Sequence, residues 1–230
     1  MFIDDLFTYH AYLKEINSKL FLQLFERETN TTIVINEQTN FTNKILPNHL
    51  YYIKSGYVKS SVIDKQGNLK SFDILGPSEF LGLNTLFHSS KSDNPWLFIS
   101  LENVTLVGIP FYRIDPTNKE IFDMFYKNFY HQTQKVHLFW YLSSLSGYER
   151  VFTSLIVLVQ YLGKKSKNYF ILPKFVTHSL LAEFSNVSRP YVTKVLLNLE
   201  NKQLVRYRHH IIKFCNNNDL LSKYLDDFLF

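Results

Sequence analysis

At Pro116 the periodicity of the chain switches from strand to helix, and that switch restricts the fold more than any other feature of its 230 residues. Before it, from about 31 to 110, short apolar runs rich in Val, Ile, Tyr and Phe (TTIVI, LYYIKSGYVKSSVI, FDIL, LFISL, VTLVGI) alternate with turn signals at Lys54-Ser55-Gly56, Lys65-Gln66-Gly67-Asn68, Gly76-Pro77-Ser78 and Asp93-Asn94-Pro95. Many short strands at such spacing predict an antiparallel barrel or jelly roll. After Pro116 the strand signals stop, and residues 117–145 contain neither Gly nor Pro. That stretch predicts one long helix, opened by Thr117 with Glu120 three residues on in the pattern of a capping box. Residues 3–28 also have helical spacing, with Leu6, Leu13, Ile16, Leu20 and Leu24 on one side. The expected class is therefore α+β, with strands and helices segregated along the chain.

A helix of that length must bury an apolar stripe against something. Ile121, Phe125, Phe129, Val136, Phe139 and Trp140 form one, interrupted by Gln132. Two partners fit it: the chain's own barrel, or a second copy along a coiled-coil seam. Ser146-Gly147 is the candidate hinge. Tyr148 to Leu162 reads as another helix, with Val151, Leu155, Leu158 and Leu162 on one face. Gly163 to Lys167 reads as a polar basic loop, and residues 168–215 as two short helices followed by two strands. The last residues, NNNDLLSKYLDDFLF, read as a short amphipathic helix.

Charge divides the chain unevenly. Residues 1–149 carry 13 Lys and Arg against 15 Asp and Glu, a net of −2; residues 150–230 carry 12 against 5, a net of +7. A basic module attached to a neutral one points to a phosphate-bearing partner, because basic surfaces release counterions from nucleic acid. The one cysteine, Cys215, excludes an internal disulfide and an iron–sulfur cluster. No run of apolar residues is long enough to span a bilayer, Asp4 and Asp5 break the N-terminal apolar run, and a cytoplasmic protein is expected. No phosphate loop, zinc-hydrolase motif or nucleophile elbow occurs, so an enzyme is not expected.

Within the basic module, Thr177 opens a short helix, THSLLAEFS, with Leu180, Leu181 and Phe184 expected on its buried side. Asn186 tolerates the left-handed conformation a tight turn demands. Ser188 is the expected N-cap of the next helix. Arg189 and Pro190 are then its first two positions, where amides lack an intrahelical acceptor and a proline loses little. Val192, Val195, Leu196 and Leu199 point inward; Arg189, Tyr191, Thr193, Lys194 and Asn198 are left outside. Two short helices at such a turn predict a helix-turn-helix, whose second helix enters the major groove of double-stranded DNA. Arg189 is placed for bidentate bonds to guanine and Lys194 for a guanine or a phosphate. Thr177, His178 and Ser179 are placed to hold a phosphate at a helix start. LVRYRHHIIKF reads as a β-hairpin wing, with Arg206, Arg208 and Lys213 set for flanking phosphates and His209-His210 at its tip.

This order of segments resembles the Crp/Fnr family of bacterial transcription regulators over nearly the whole chain. HLYYIKSGYVKSSVIDKQGNLKSFDILGPSEFLG, residues 49–82, is similar to the family's β-roll, including its Gly-x-x-x-Phe-x-Gly stretch. Residues 177–205 match its DNA-reading segment, with Ser188-Arg189 at the recognition-helix start and Leu196-Leu197-Asn198-Leu199-Glu200 near its end. The resemblance implies an N-terminal antiparallel β-roll like cyclic-nucleotide-binding domains (1–116), a long dimerisation helix and hinge (117–146) and a C-terminal winged helix-turn-helix (147–230). It also implies a homodimer on a pseudo-palindromic operator, contact with RNA polymerase, activation in preference to repression, and no membrane partner.

Two departures from the family pattern carry consequences. Nucleotide-binding members follow the β-roll glycine with a glutamate for the ribose and place an Arg-Ser pair about a dozen residues on for the cyclic phosphate. Here Gly82 is followed by Leu83, and the later stretch is Asp93-Asn94-Pro95. A buried phosphate needs a cation or several donors, so cyclic AMP is not expected to bind in the usual way. No cofactor is expected and the effector is unassigned. Many members also place an acidic residue after the recognition-helix Arg; here it is Pro190, so base preference there is expected to be relaxed or read from shape. The missing nucleotide residues are similar to the PrfA-type branch. His10, His49, His88, His131 and His137 are scattered, and each is expected to be an ordinary surface or core residue. A rival reading makes the chain a small-molecule-binding β-roll whose C-terminal part mediates protein contacts.

Overall fold

The computed structural model describes residues 2–22, 31–63, 65–67, 69–83, 96–115 and 117–215, with the side chains of residues 2–7 and of Phe72 excepted. The turn at 93–95 and the C-terminal amphipathic stretch lie outside the described residues. The chain divides into two compact units, residues 1–137 and 138–230.

The first unit is built on two antiparallel sheets. Strands β1 (Thr31–Ile35), β2 (His49–Ser55), β5 (Phe80–Leu81) and β7 (Val104–Pro110) form one, in the order β1-β7-β2-β5. Strands β3 (Val58–Ile63), β4 (Leu69–Leu75) and β6 (Trp96–Ser100) form the other, in the order β4-β3-β6. A core of Ile35, Phe41, Tyr51, Ile53, Val58, Leu75, Leu81, Phe98, Val104 and Leu106 joins the two sheets. The turn between β2 and β3 demands glycine: Gly56 has φ +80, and a Cβ there would lie 2.3 Å from the Asn103 carbonyl oxygen.

The four-stranded sheet is buried on both faces, which explains why β2 is apolar at successive rather than alternate positions. Its second face, Leu50, Tyr52, Phe80, Val107 and Ile109, is covered by helix α1 (Phe2–Leu20), by Phe21 and by helix α2 (Lys119–Ser144) through Ile121 and Met124. Phe21 stacks on Tyr52 with ring centroids 3.9 Å apart. Leu83, directly after Gly82, is packed into this apolar cluster.

Helix α2 starts differently from the sequence expectation. Asp115 Oδ1 accepts from both the amide and the hydroxyl of Thr117, which removes Thr117 as a cap. Asn118 replaces it, accepting from the amides of Glu120 and Ile121. The expected single stripe is in fact two. Ile121, Met124, Asn128, His131, Leu138 and Leu142 are buried, while Phe122, Tyr126, Phe129, Val136 and Trp140 are exposed. Of the residues expected on one stripe, Ile121 faces the core and Phe129, Val136 and Trp140 face solvent.

The second unit packs helices α3 (Gly147–Leu162), α4 (His178–Ser185) and α5 (Arg189–Asn201) with a four-stranded antiparallel sheet. Ser146, at the expected hinge, caps α3 in a full capping box with Glu149. The sheet runs β10 (Val205–Arg208), β11 (Ile211–Cys215), β9 (Tyr169–Ile171), β8 (Lys164–Lys165). The basic segment after α3 is thus part of a hairpin with β9 rather than a loop, closed by the Ser166 amide donating to the Tyr169 carbonyl at 2.7 Å. Val151, Leu155, Leu158, Leu181, Val192, Val195, Leu196, Leu199, Val205 and Ile212 are buried in this unit; each such side chain contributes about 1.5–3 kcal/mol.

Candidate nucleic-acid interface

Thr177 caps α4, its hydroxyl accepting from the Leu180 amide at 3.2 Å. Leu180 and Leu181 are buried as expected, while Phe184 is only half-buried, because the helix ends one residue later. Asn186 closes α4 in the left-handed region, φ 52 and ψ 50. Val187 then donates its amide back to the Ala182 carbonyl at 3.1 Å, a 6→1 bond that satisfies an orphan carbonyl. Ser188 caps α5, accepting from the Tyr191 amide at 3.3 Å, and Pro190 occupies the first turn.

The consequence is a helix of 13 residues anchored on one side by Val192, Val195, Leu196 and Leu199 and open on the other. Ser188, Arg189, Pro190, Tyr191 and Lys194 are exposed there. Thr177 and Ser179 are exposed at the start of α4. Thr193 is committed to the protein: its hydroxyl donates to the Arg189 carbonyl and lies 3.0 Å from His178 Nδ1. His178 is half-buried, with its ring 4.6 Å from that of Tyr207 on β10. Burial, then the nearby Arg189 charge, lowers its pKa, so the ring is held neutral. Thr193, His178 and Tyr207 therefore link α5, α4 and β10.

Tyr191 leans away from the helix axis toward α3. A Cβ on Gly147 would sit 3.2 Å from its ring, so glycine at the start of α3 makes room for it. Tyr148 donates to Asn198 Oδ1 at 3.1 Å. Arg150 donates to the carbonyls of Leu145 and Asn186, tying the segment before α3 to the α4–α5 turn. The sequence does not single out Tyr148, Arg150 and Tyr207 for these roles, because the roles depend on contacts between elements distant along the chain.

On the hairpin, Arg206 and Arg208 are exposed and Lys213 is half-buried. The Arg206 guanidinium lies 5.2 Å from the centre of the Tyr169 ring. Arg208 lies 3.7 Å from Glu200 across a pair that water reaches on both sides. The turn between β10 and β11 is made by His209 and His210, both at positive φ, 52 and 61. Two such residues form the primed turn that matches strand twist, at a steric cost for any residue but glycine. Lys164, Lys165 and Lys167, all exposed, lie on or beside the outer strand of the same sheet.

No family model and no curated protein matches the chain. Solved structures do. The c-di-GMP-responsive global regulator CLP of Xanthomonas campestris superposes with a TM-score of 0.67 at 16% identity, over 87% of this chain and 99% of that one. A transcriptional regulator of the CRP/FNR family from Thermus thermophilus does so with a TM-score of 0.63 at 18% identity, over 84% and 97%. The chain has the Crp/Fnr fold. A cyclic nucleotide-binding domain containing protein from Listeria monocytogenes EGD-e shares that fold, with a TM-score of 0.67 at 15% identity over 92% and 97%. Among the described residues of this Crp/Fnr-like chain, no helix is long and apolar enough to cross a membrane.

Proposed function

We propose that the chain is a sequence-specific, double-stranded-DNA-binding transcription regulator of the Crp/Fnr type, with α4, α5 and the β10–β11 hairpin acting as a winged helix-turn-helix. The observation that carries this reading is the first turn of α5. A capped, proline-fixed helix start presents exposed Arg189, with Lys194 exposed further along, on a helix whose other side is buried. The N-terminal residues of a recognition helix are those that meet base edges in the major groove. Arg189 reads a guanine, Lys194 a guanine or phosphate, and Arg206 and Arg208 flanking phosphates. Thr177 and Ser179 meet a phosphate at the start of α4, with the His178 ring held against Thr193 and Tyr207, and Ser188, Pro190, Tyr191 and Thr193 line the same face.

The regulator acts as a homodimer on a pseudo-palindromic operator, with recognition helices about 34 Å apart. Supporting this, the exposed residues of α2 at 122, 126, 129, 133, 136 and 140 recur alternately at four and three residues, the heptad pattern of a coiled-coil seam. Phe122, Tyr126, Phe129, Val136 and Trp140 are between 52% and 72% exposed. With roughly 150–250 Å² for each aromatic side chain, pairing hides roughly 600 Å² per protomer. That reaches the lower bound of specific interfaces, about 1,200 Å² in total. The regulator activates transcription by contacting RNA polymerase, and cyclic AMP is not its effector in the usual way, Leu83 offering the ribose no acceptor.

Selection of bound duplexes from a random pool, followed by anisotropy titrations at several salt concentrations, tests the reading. A symmetric site and an affinity that falls steeply with salt are expected. No enriched sequence, or binding insensitive to salt, would refute it.

A further inference from the structure

Three buried side chains from distant parts of the chain converge beside α2: His10 of α1, Glu79 of the turn before β5, and His131 of α2. Their candidate ligand atoms all lie within 4.8 Å of one another. The His10 and His131 rings stack with centroids 5.0 Å apart. His10 Nδ1 is 3.7 Å from Glu79 Oε1. We propose that His10, Glu79 and His131 form a binding site for a divalent transition-metal ion of the zinc class.

The donor set has the right chemistry. Two imidazoles and a carboxylate suit zinc and its neighbours, and three protein ligands leave a fourth position for water. Tetrahedral bonds of about 2.0–2.1 Å place ligand atoms about 3.4 Å apart. The His10–Glu79 pair is already near that separation, and the third ligand closes by a side-chain movement of about 1 Å.

The surroundings orient the carboxylate. Glu79 Oε2 accepts from the Gly76 amide at 2.7 Å, which directs Oε1 toward His10. Outer hydrogen bonds of this kind hold metal ligands in place. Lys135 shares Oε1 at 3.2 Å, and it also donates to both oxygens of Asp73, at 3.0 and 2.9 Å. When a metal takes Oε1, Lys135 keeps Asp73 as its partner. The ion would cross-link α1, the turn before β5 and α2, so its binding adds directly to the stability of the first unit.

The test uses the full chain, stripped with a chelator and titrated with cobalt(II) and then zinc(II). Expected are one equivalent per chain, the visible absorption of tetrahedral cobalt, and a rise in thermal midpoint with zinc. His10→Gln and His131→Gln should each weaken binding by at least roughly 10–100-fold. The double variant His209→Gln, His210→Gln, which removes the adjacent wing imidazoles, should bind as the parent does. No cobalt band at stoichiometric metal, binding that survives loss of both His10 and His131, or binding lost with the wing pair would overturn the assignment. If the ligand variants fail to fold, X-ray absorption of the zinc-loaded parent decides: two imidazoles in the coordination shell support the site, and fewer than two refute it.

Discussion

Trp140→Ala tests the proposed dimer seam directly. Trp140 is 72% exposed near the end of α2. Taking about 200 Å² for the side chain, it offers roughly 145 Å² to a partner, worth about 3–4 kcal/mol at about 25 cal/mol per Å². A two-fold interface contains the residue twice. Even if only half of that area is covered, the dimer loses about 3–4 kcal/mol, and at 1.4 kcal/mol per decade the dissociation constant rises at least about 100-fold. The monomer should be indifferent, since truncating an exposed side chain usually changes folding stability by no more than about 0.5 kcal/mol. Sedimentation velocity across a concentration series measures the association, and circular dichroism with urea unfolding checks the fold. A variant that dimerises as tightly as the parent, or a parent that stays monomeric at tens of micromolar, as an order of magnitude for a stable seam of this area, would refute the reasoning.

Other consequences are equally accessible. Arg189→Ala should abolish preference for the selected operator by about 1–3 kcal/mol per half-site while leaving fold and dimer intact, read by competition with nonspecific duplex. Asn186→Ala should destabilise the second unit by about 1–2 kcal/mol, because the position is left-handed, whereas Asn186→Gly should be close to neutral; urea midpoints distinguish them. His178 has a folded pKa below its unfolded value, so the unfolded state binds more protons: its contribution is intact above about pH 6.5 and is lost as pH falls toward the lowered folded pKa, a slope that His178→Gln should remove from urea titrations. Lys135→Met should cost about 3–5 kcal/mol by leaving Asp73 and Glu79 buried without their ammonium, seen as a lower unfolding midpoint of the first unit.

The parts legible in the sequence were those governed by local chemistry. Ser188, Pro190 and Asn186 announce a helix start and a left-handed turn wherever they stand, and the structure has both at those residues. The strands between 31 and 110 were signalled by β-branched and aromatic runs between turns, and those strands form. What failed depended on partners. Thr117 and Asn118 are both competent caps, and only the position of Asp115 decides between them. Lys164-Lys165 has no strand propensity, and it is extended because Ile171 and Phe170 stand opposite. His10, Glu79 and His131 lie far apart in the chain, so nothing in their spacing could have brought them together.

Helix α2 shows why the stripe on it was hard to divide. Its inward-facing positions, 121, 124, 128, 131, 135, 138 and 142, and its exposed apolar positions, 122, 126, 129, 136 and 140, follow the same 3.5-residue period on two adjoining faces. Only the depth of each residue tells the two apart. The inward face is apolar at Ile121 and Met124, polar at Asn128, His131 and Lys135, and apolar again at Leu138 and Leu142. Its polar middle is held by directional contacts: Asn128 and Asn17 exchange amide hydrogen bonds at 2.8 and 3.1 Å, and Lys135 reaches Asp73 and Glu79. Apolar contacts tolerate sliding, whereas a buried amide pair or ion pair displaced from register leaves unsatisfied groups at about 1–3 kcal/mol or more each. The rotational setting of α2 is therefore fixed most firmly at 128–135, the span that also carries exposed Phe129.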